Sequence, residues 1–414
     1  MKKQIRHEIT KHNKIKTMTS FNIKNKETIN RFQMLVLFFL TAIFFINFTI
    51  RIIISPLLPT ISLDMGLSHD QGGSLFLISA SGYFIVLVCS GFVSSKLGHK
   101  KTIAFSAIAA GIAFILTGLS QGFLGMRIGI FCVGMASALY LPSGMAILTS
   151  SIDQGNWGKA IGIHELAPNL SFLLAPLISE VLLLLLPWRS LFFIIGGLSI
   201  IMGVSFFKFS RVKDFFGESP TLTAFLPLVG HRSFWIMVVL FSLGVIGTLG
   251  VYSMLPLFLV DIHGMTRAQA NSLITMSRIL TLLMPLFIGW VSDRAGLKPT
   301  LSAVLFLTGI STLLLGVLNG QFIKMVIFCQ PLLAVCFFPP AFAALSQIGS
   351  KKIRNIAISF TLPIAFLFGG GVVPNLIGIL GDHGYFSMGF ILFGSLICLG
   401  AGIPVFLKFH QDND

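Results

Sequence analysis

The sequence predicts an all-α membrane protein with twelve transmembrane helices in two pseudo-symmetric six-helix bundles. Three observations carry that expectation. Hydrophobic residues make up 55% of the 414-residue chain and charged residues 10%, with a mean hydropathy of +0.91, whereas average proteins carry about 25% charged residues. Lysine and arginine are shared very unevenly among the segments between apolar runs. Short motifs also recur about 198 positions apart, so that "GFVSSKLGHKK" (91–101) returns as "GWVSDRAGLKP" (289–299).

A spanning helix needs about 20 mostly apolar residues. Such runs fall at 33–58, 72–94, 102–120, 124–150, 159–183 and 190–209, and after a polar gap at 234–258, 271–292, 300–318, 323–347, 355–379 and 386–407. A membrane barrel would show alternation over about ten residues at a time, and these runs are apolar throughout. Arg51 interrupts the first run where a small-residue cleavage site would stand, so a removable signal peptide is not expected there. Cys89, Cys132, Cys329, Cys336 and Cys398 all lie within the runs. They lack metal-ligand spacing and read as small buried hydrophobes, so no metal site is expected.

Alternate inter-run segments set the orientation. One set holds nine Lys and Arg in residues 1–32, three in 96–101, Lys159, four in 208–232, Arg294 and Lys298, three in 351–354, and Lys408, or 23 in all. The intervening set holds only Arg189, Arg267 and Lys324. Positive residues stay inside, so both termini are expected in the cytoplasm and the protein in the inner (plasma) membrane. The net charge of +15 then belongs to topology and calls for no nucleic-acid partner. Expected partners are the lipid bilayer and a small-molecule substrate, and the expected state is a monomer. The expected layout is a basic tail (1–32), a first bundle (33–209), a linker (210–232), a second bundle (233–408) and a short tail (409–414). The basic tail reads as solvated, with anionic lipid or an acidic partner as its alternative contacts.

The repeat extends well beyond one motif. Gly91 matches Gly289, Gly98 matches Gly296, Pro142 matches Pro340 and Pro176 matches Pro374. Upstream, "LPTISLDMGLSHDQGGSL" (58–75) aligns with "LPLFLVDIHGMTRAQANSL" (255–273) if one residue is inserted. So many colinear matches describe a duplicated six-helix unit.

From about 33 to 408 the chain resembles the major facilitator superfamily of secondary transporters. The family joins its second and third helices with G-x-x-x-D-[RK]-x-G-[RK]-[RK]. Here that motif appears as Gly91, Lys96, Gly98, His99 and Lys100, with Ser95 in the aspartate position, and again as Gly289, Asp293, Arg294, Gly296 and Lys298. The resemblance implies two bundles rocking about a midplane site. It also implies that the motif latches one conformation, a latch that Ser95 would weaken.

Ionisable residues inside spans are functional candidates because they are costly there. Arg51, in "INFTIR", is similar to the arginine of "INYLDR" in the anion:cation symporter branch, which grips an anionic substrate; Ile50 stands where that motif has aspartate. A guanidinium fork suits a carboxylate, with snorkelling as the plain alternative. Arg278 is a second candidate, or else an interhelical donor to carbonyls. Arg127 matches an arginine that the family links to proton movement, or it is an interfacial charge. Glu165, an acid inside the 159–183 run, is the candidate proton carrier, or a static partner of Arg51 or Arg127. His164 beside it is turned about 100° around the helix, so the two need not act together. Tyr140, Asn169, Tyr252 and Gln330 complete the expected substrate lining, and Pro142, Pro331, Pro339 and Pro340 are expected kinks.

Walker A, H-E-x-x-H and G-x-S-x-G patterns are absent from the sequence, so neither an enzyme nor a cofactor is expected. The leading expectation is a proton-coupled secondary transporter (a symporter) for a small carboxylate-type organic anion. The alternatives are proton-driven multidrug efflux, for which 41 phenylalanines could line a greasy pocket, and a non-transporting sensor or scaffold. The orientation has a direct check. Reporter fusions at positions 98, 220 and 352 should give cytoplasmic signals and one at 68 a periplasmic signal; a periplasmic signal at 220 overturns the topology.

Overall fold

Backbone N–H and C=O groups have no water to bond in a hydrocarbon slab, so each apolar run must close its own hydrogen bonds as a helix. The computed structural model describes residues 30–217, 230–348 and 351–409. The charged tail expected at 1–32 thus lies mostly outside the described residues, as do the middle of the linker and residues 410–414. Among the described residues eleven helices are long and apolar enough to span, and a bent pair taken as one span makes a twelfth. The first bundle comprises α1 (Arg31–Met65), α2 (His69–Leu97), α3 (His99–Leu119), α4 (Phe123–Ser151), α5 (Gln154–Leu183) and α6 (Trp188–Phe209). The second comprises α7 (Arg232–Asp261), α8 (Arg267–Leu282 with Met284–Ala295, bent by 45°), α9 (Leu297–Val317), α10 (Gln321–Leu345), α11 (Ser359–Asp382) and α12 (Phe386–Phe406).

With twelve spans, α1 begins and α12 ends on one face, here called the terminal face, and the α1–α2 and α7–α8 turns lie on the distal face. The duplication read from sequence is visible in backbone detail. Gly98 and Gly296 both turn the chain with nearly the same angles, φ 84 and 87 with ψ 156 in each, a region open essentially to glycine alone. Thr102 and Thr300 each return a hydroxyl to those glycine carbonyls at 2.7 Å. On the distal face, Ser68 with Gln71 and Thr266 with Gln269 form matching capping boxes.

Several helices break, and proline explains most breaks. A proline removes the N–H that would reach four residues back and crowds that carbonyl. The helix is interrupted at Ile53 before Pro56, at Leu139 before Pro142, near Leu283 before Pro285, and at Cys336–Phe337 before Pro340. Wide π-helical turns occupy Ile246–Gly250 in α7 and Phe368–Val372 before Pro374 in α11. Pro331, expected to kink α10, sits within the continuous helix Gln321–Val335.

The linker's described part packs back onto the α2–α3 turn. The amide of Lys100 donates to Asp214 Oδ1 at 2.9 Å, His99 N–H to the Phe215 carbonyl at 2.9 Å, and Gly217 N–H to the Ser94 carbonyl at 3.1 Å. Asp214 thereby supplies a negative charge at the N-terminus of α3, where the helix dipole favours it. A Cβ at Gly98 would collide with that carboxylate, whereas at Gly296 the nearest atom is Pro299 Cδ at 3.8 Å. Both Gly98→Ala and Gly296→Ala should destabilise by about 1–3 kcal/mol through the forbidden φ/ψ alone. Gly98→Ala should lower the thermal midpoint in detergent further than Gly296→Ala; equal losses would contradict the Asp214 contact.

Candidate functional site

The two bundles meet along α1, α2 and α5 on one side and α7, α8 and α11 on the other. On the distal side they are joined by close backbone approach and by polar clamps. Gly73 of α2 faces the backbone of Pro374, and Gly378 of α11 faces that of His69. This contact requires residues without a side chain. Asp382 at the end of α11 caps the start of α2, accepting from His69 N–H at 2.7 Å and Asp70 N–H at 3.0 Å. The His69 ring is held between Asp261 at 2.8 Å and Asp382 at 3.1 Å, and Asn375 donates to Asp70 at 2.7 Å. A second clamp sits beside it. Arg267 of α8 grips Glu180 of α5 with a two-point fork (2.9 and 3.2 Å) and also reaches Thr60. Asn271 joins Glu180 at 2.6 Å and the Pro56 carbonyl at 3.0 Å. On the terminal side, the lower half of α4 and the lower half of α8 find their main packing partners within their own bundles.

Between the bundles lies a small cavity of about 20 Å³, lined by Arg51, Phe76, Ser79, Ser253, Phe366 and Gly370 among others. Arg51 projects from the last turn before the α1 break. Its guanidinium carbon stands 3.8 Å from the centroid of Tyr83 and 5.4 Å from that of Phe366, one aromatic from each bundle. Arg278 projects from the α8 break. It is 4% exposed, lies 4.8 Å from the Phe172 ring and 5.2 Å from the Tyr252 ring, and its Nε has no hydrogen-bond partner. The Tyr252 hydroxyl is buried and also unpartnered. Phe48 and Phe172 (5.3 Å) and Phe172 and Tyr252 (4.8 Å) form a continuous aromatic cluster that both arginines touch. Among the described residues, the ion pairs engage Arg189 and Arg267 but neither Arg51 nor Arg278. Aromatic faces attract a cation but do not neutralise it.

The structure places the other expected site residues differently from one another. The Tyr140 hydroxyl is committed within the first bundle, donating to the Leu40 carbonyl at 2.6 Å and meeting His164 Nε2 at 2.9 Å. Gln330 is likewise committed, donating to the Gly247 carbonyl at 2.6 Å and contacting Thr312. It thus satisfies a carbonyl of the π-helical turn of α7. Asn169 is a half-buried neighbour of Glu165, whose backbone carbonyl its amide approaches at 3.4 Å. Arg127 is exposed near the distal end of α4, over Phe123 at 5.4 Å. Glu165 pairs with neither Arg51 nor Arg127; its carboxylate lies 3.2 Å from His164 Nδ1, so the adjacent residues do meet. In the motif turn, Ser95 donates to the Phe92 carbonyl at 3.0 Å. In the repeat of that turn, Arg294 stacks over Trp290 at 4.0 Å.

Sequence reasoning missed the clamps, Tyr83, Phe366 and Asp214. Asp261 and Arg267 were visible only as repeat markers and loop charge. Their opposite-sign partners across the bundles, His69 and Glu180, were the available signal.

Residues 37–277 and 250–413 match the family model described as Major Facilitator Superfamily. A probable sulfoacetate transporter, SauU, from Cupriavidus necator is 26% identical over 182 residues, 43% of this chain and 42% of that one. The multidrug resistance protein MdtL of Salmonella paratyphi C is 25% identical over 338 residues, 78% of this chain and 83% of that one. Crystal structures of a bacterial homolog of the human lysosomal transporter Spinster superpose with TM-scores of 0.72 (inward-facing, unoccupied) and 0.74 (inward-facing, occupied). They are 16% and 15% identical, and the superpositions cover 91% of this chain and 95% and 97% of those.

The clamps generate a conformational prediction. Partly exposed charged contacts of this kind contribute about 1 kcal/mol each, or roughly fivefold in an equilibrium ratio. His69→Ala should therefore lengthen the spin-label distances between the distal ends of α2 and α11 in a several-fold larger fraction of molecules. Arg267→Ala should do the same between α5 and α8. Unchanged distributions in both variants would mean that the glycine contact alone holds the distal side.

Proposed function

The chain belongs to the major facilitator superfamily, and on that premise we propose that it moves a small organic anion across the inner membrane by alternating access, driven by a proton. The observation that carries this reading is the pair of interbundle arginines, Arg51 and Arg278, without carboxylate partners among the described residues. An uncompensated cation in a low-dielectric cleft is costly, and an anionic substrate bound there offsets that cost. The aromatic cluster between them suits an apolar body. With the basic terminal face cytoplasmic, the distal clamps would close the outer side. A relative named as a sulfoacetate transporter supports the anion. Multidrug efflux is the second reading, favoured by the MdtL relatives and by the aromatic lining.

Purified protein screened by thermal shift against monocarboxylates, dicarboxylates, sulfonated carboxylates, sugar acids and cationic dyes should be stabilised by an anion. Losing a charge partner in a desolvated site costs about 2–5 kcal/mol. Arg51→Ala should therefore weaken binding of that anion by more than tenfold, and Arg51→Lys, which lacks the fork, should recover only part. Arg51→Ala binding as tightly as the unmodified protein would move the anion site to Arg278. Stabilisation by cationic dyes alone would replace the anion reading with efflux.

A further inference from the structure

The polar contacts around His164 form a chain whose proton count can be worked out from donors and acceptors. The Tyr140 oxygen and the Leu40 carbonyl oxygen are 2.6 Å apart. Two oxygens approach that closely only with a proton between them, so the single hydroxyl proton of Tyr140 points to Leu40. His164 Nε2, 2.9 Å from the same hydroxyl, must therefore carry a proton and donate it. The ring is held in that orientation by stacking on Phe44 at 4.5 Å and by complete burial. Its other nitrogen, Nδ1, faces Glu165 Oε1 at 3.2 Å. A neutral imidazole protonated at Nε2 would turn a lone pair on Nδ1 towards a carboxylate, and two acceptors at that distance repel.

We propose that His164 and Glu165 together form a proton-binding site, in which one transferable proton bridges Nδ1 and the carboxylate in this conformation. The bridge is either an Nδ1–H donating to the carboxylate or a carboxyl O–H donating to Nδ1; both forms hold the same number of protons. The proposal deepens the proton-coupled reading of the function and rests on it for its role, though not for its geometry. Discharge moves that one proton to a water molecule. It leaves His164 neutral with its Nε2–H intact and Glu165 ionised. The two facing lone-pair groups then part, and the carboxylate turns away from the ring on the side where 47% of its side chain is not covered by protein. His164 is fully buried and cannot follow.

The site lies about 16 Å along α5 from Gln154, at 1.5 Å per residue, near the middle of the bilayer. The titratable and charged groups turned towards it are Tyr140 of α4 and Tyr83 of α2, both within electrostatic reach of Glu165. Arg51 of α1 lies against Tyr83. On α8, Arg278 sits over Phe172, about two turns further along α5; α6 carries charge only near its ends, at Arg189 and Lys208. The proton site therefore connects to Arg51 through Tyr83. Loss of the proton places a carboxylate where it competes with a substrate anion for the same cation.

Nitrogen-15 NMR of full-length protein labelled at the imidazole nitrogens tests this without any substrate. The His164 signal is identified by its absence in His164→Asn. In the unmodified protein it should show Nε2 protonated at every pH and a pH-dependent step at Nδ1. Glu165→Gln, whose amide can donate to Nδ1, should abolish that step, and Tyr140→Phe should release the tautomer so that Nδ1–H becomes populated. A His164 ring protonated only on Nδ1, or a step unaltered by Glu165→Gln, overturns the proposal. Should Glu165→Gln fail to fold, the tautomer in the unmodified protein decides the matter by itself. In proteoliposomes loaded with the anion found by thermal shift, Glu165→Gln should lose gradient-driven accumulation and keep counterflow exchange. An intact His164 signature in a protein whose uptake ignores the proton gradient would reject the coupling reading and leave the dyad standing.

Discussion

The structure depends on one arrangement, the distal closure between α2 and α11. Two glycines, Gly73 and Gly378, let the helices touch backbone to backbone, and Asp382 caps the first turn of α2 while holding His69 against Asp261. Lipid tails are as apolar as the bundle surfaces, so helices in a membrane gain little from hydrophobic burial against each other and need close packing or polar contacts. Here the polar contacts are partly exposed and individually weak, which is what a reversible gate requires. A deeply buried, fully satisfied pair would hold the bundles shut. The Arg267–Glu180–Asn271 group adds a second clamp on the α5–α8 side. With both in place the bundles are joined across their distal side.

Much of the fold was legible in the sequence because a bilayer imposes simple rules. Length and apolarity give the spans, and the duplicated motifs give the two halves, down to matching φ and ψ at Gly98 and Gly296. Arg51, Arg278 and Glu165 stood out because charge within a span is rare. What stayed hidden depends on pairs brought together from distant positions. His69 and Asp382 are 313 residues apart, and each looks like an ordinary loop charge. Tyr83 and Phe366 are ordinary aromatics in apolar runs until they are seen against Arg51. The substitution of Ser95 for the motif aspartate suggested a weakened latch. The structure shows a different acid at that turn, Asp214 from the linker, capping α3. A local motif comparison does not see a residue supplied from more than a hundred positions away.

The helical angle between His164 and Glu165 misled for a related reason. Adjacent residues start about 100° apart around a helix, but a glutamate side chain is long enough to bend back to its neighbour. Whether it does depends on what fixes the histidine. Tyr140 and Phe44, on two other helices, fix that ring, so the contact is a tertiary fact expressed between sequence neighbours.

The polar groups of the interior concentrate at helix breaks, and the reason is physical. Arg51 lies two residues before the interruption at Ile53, Arg278 closes the first segment of α8, and Tyr140 opens the second segment of α4. Gln330 donates to a carbonyl within the π-helical turn of α7. A proline or a wide turn frees backbone carbonyls that must find donors inside the membrane, so polar side chains are tolerated there when they would be penalised elsewhere. The same breaks let each helix bend when the bundles rock. Arg51 and Arg278, the arginines between the bundles, therefore share short stretches of chain with the bends, whereas His164 and Glu165 lie within the unbroken helix Trp157–Leu183 and owe their contact to packing from α1 and α4.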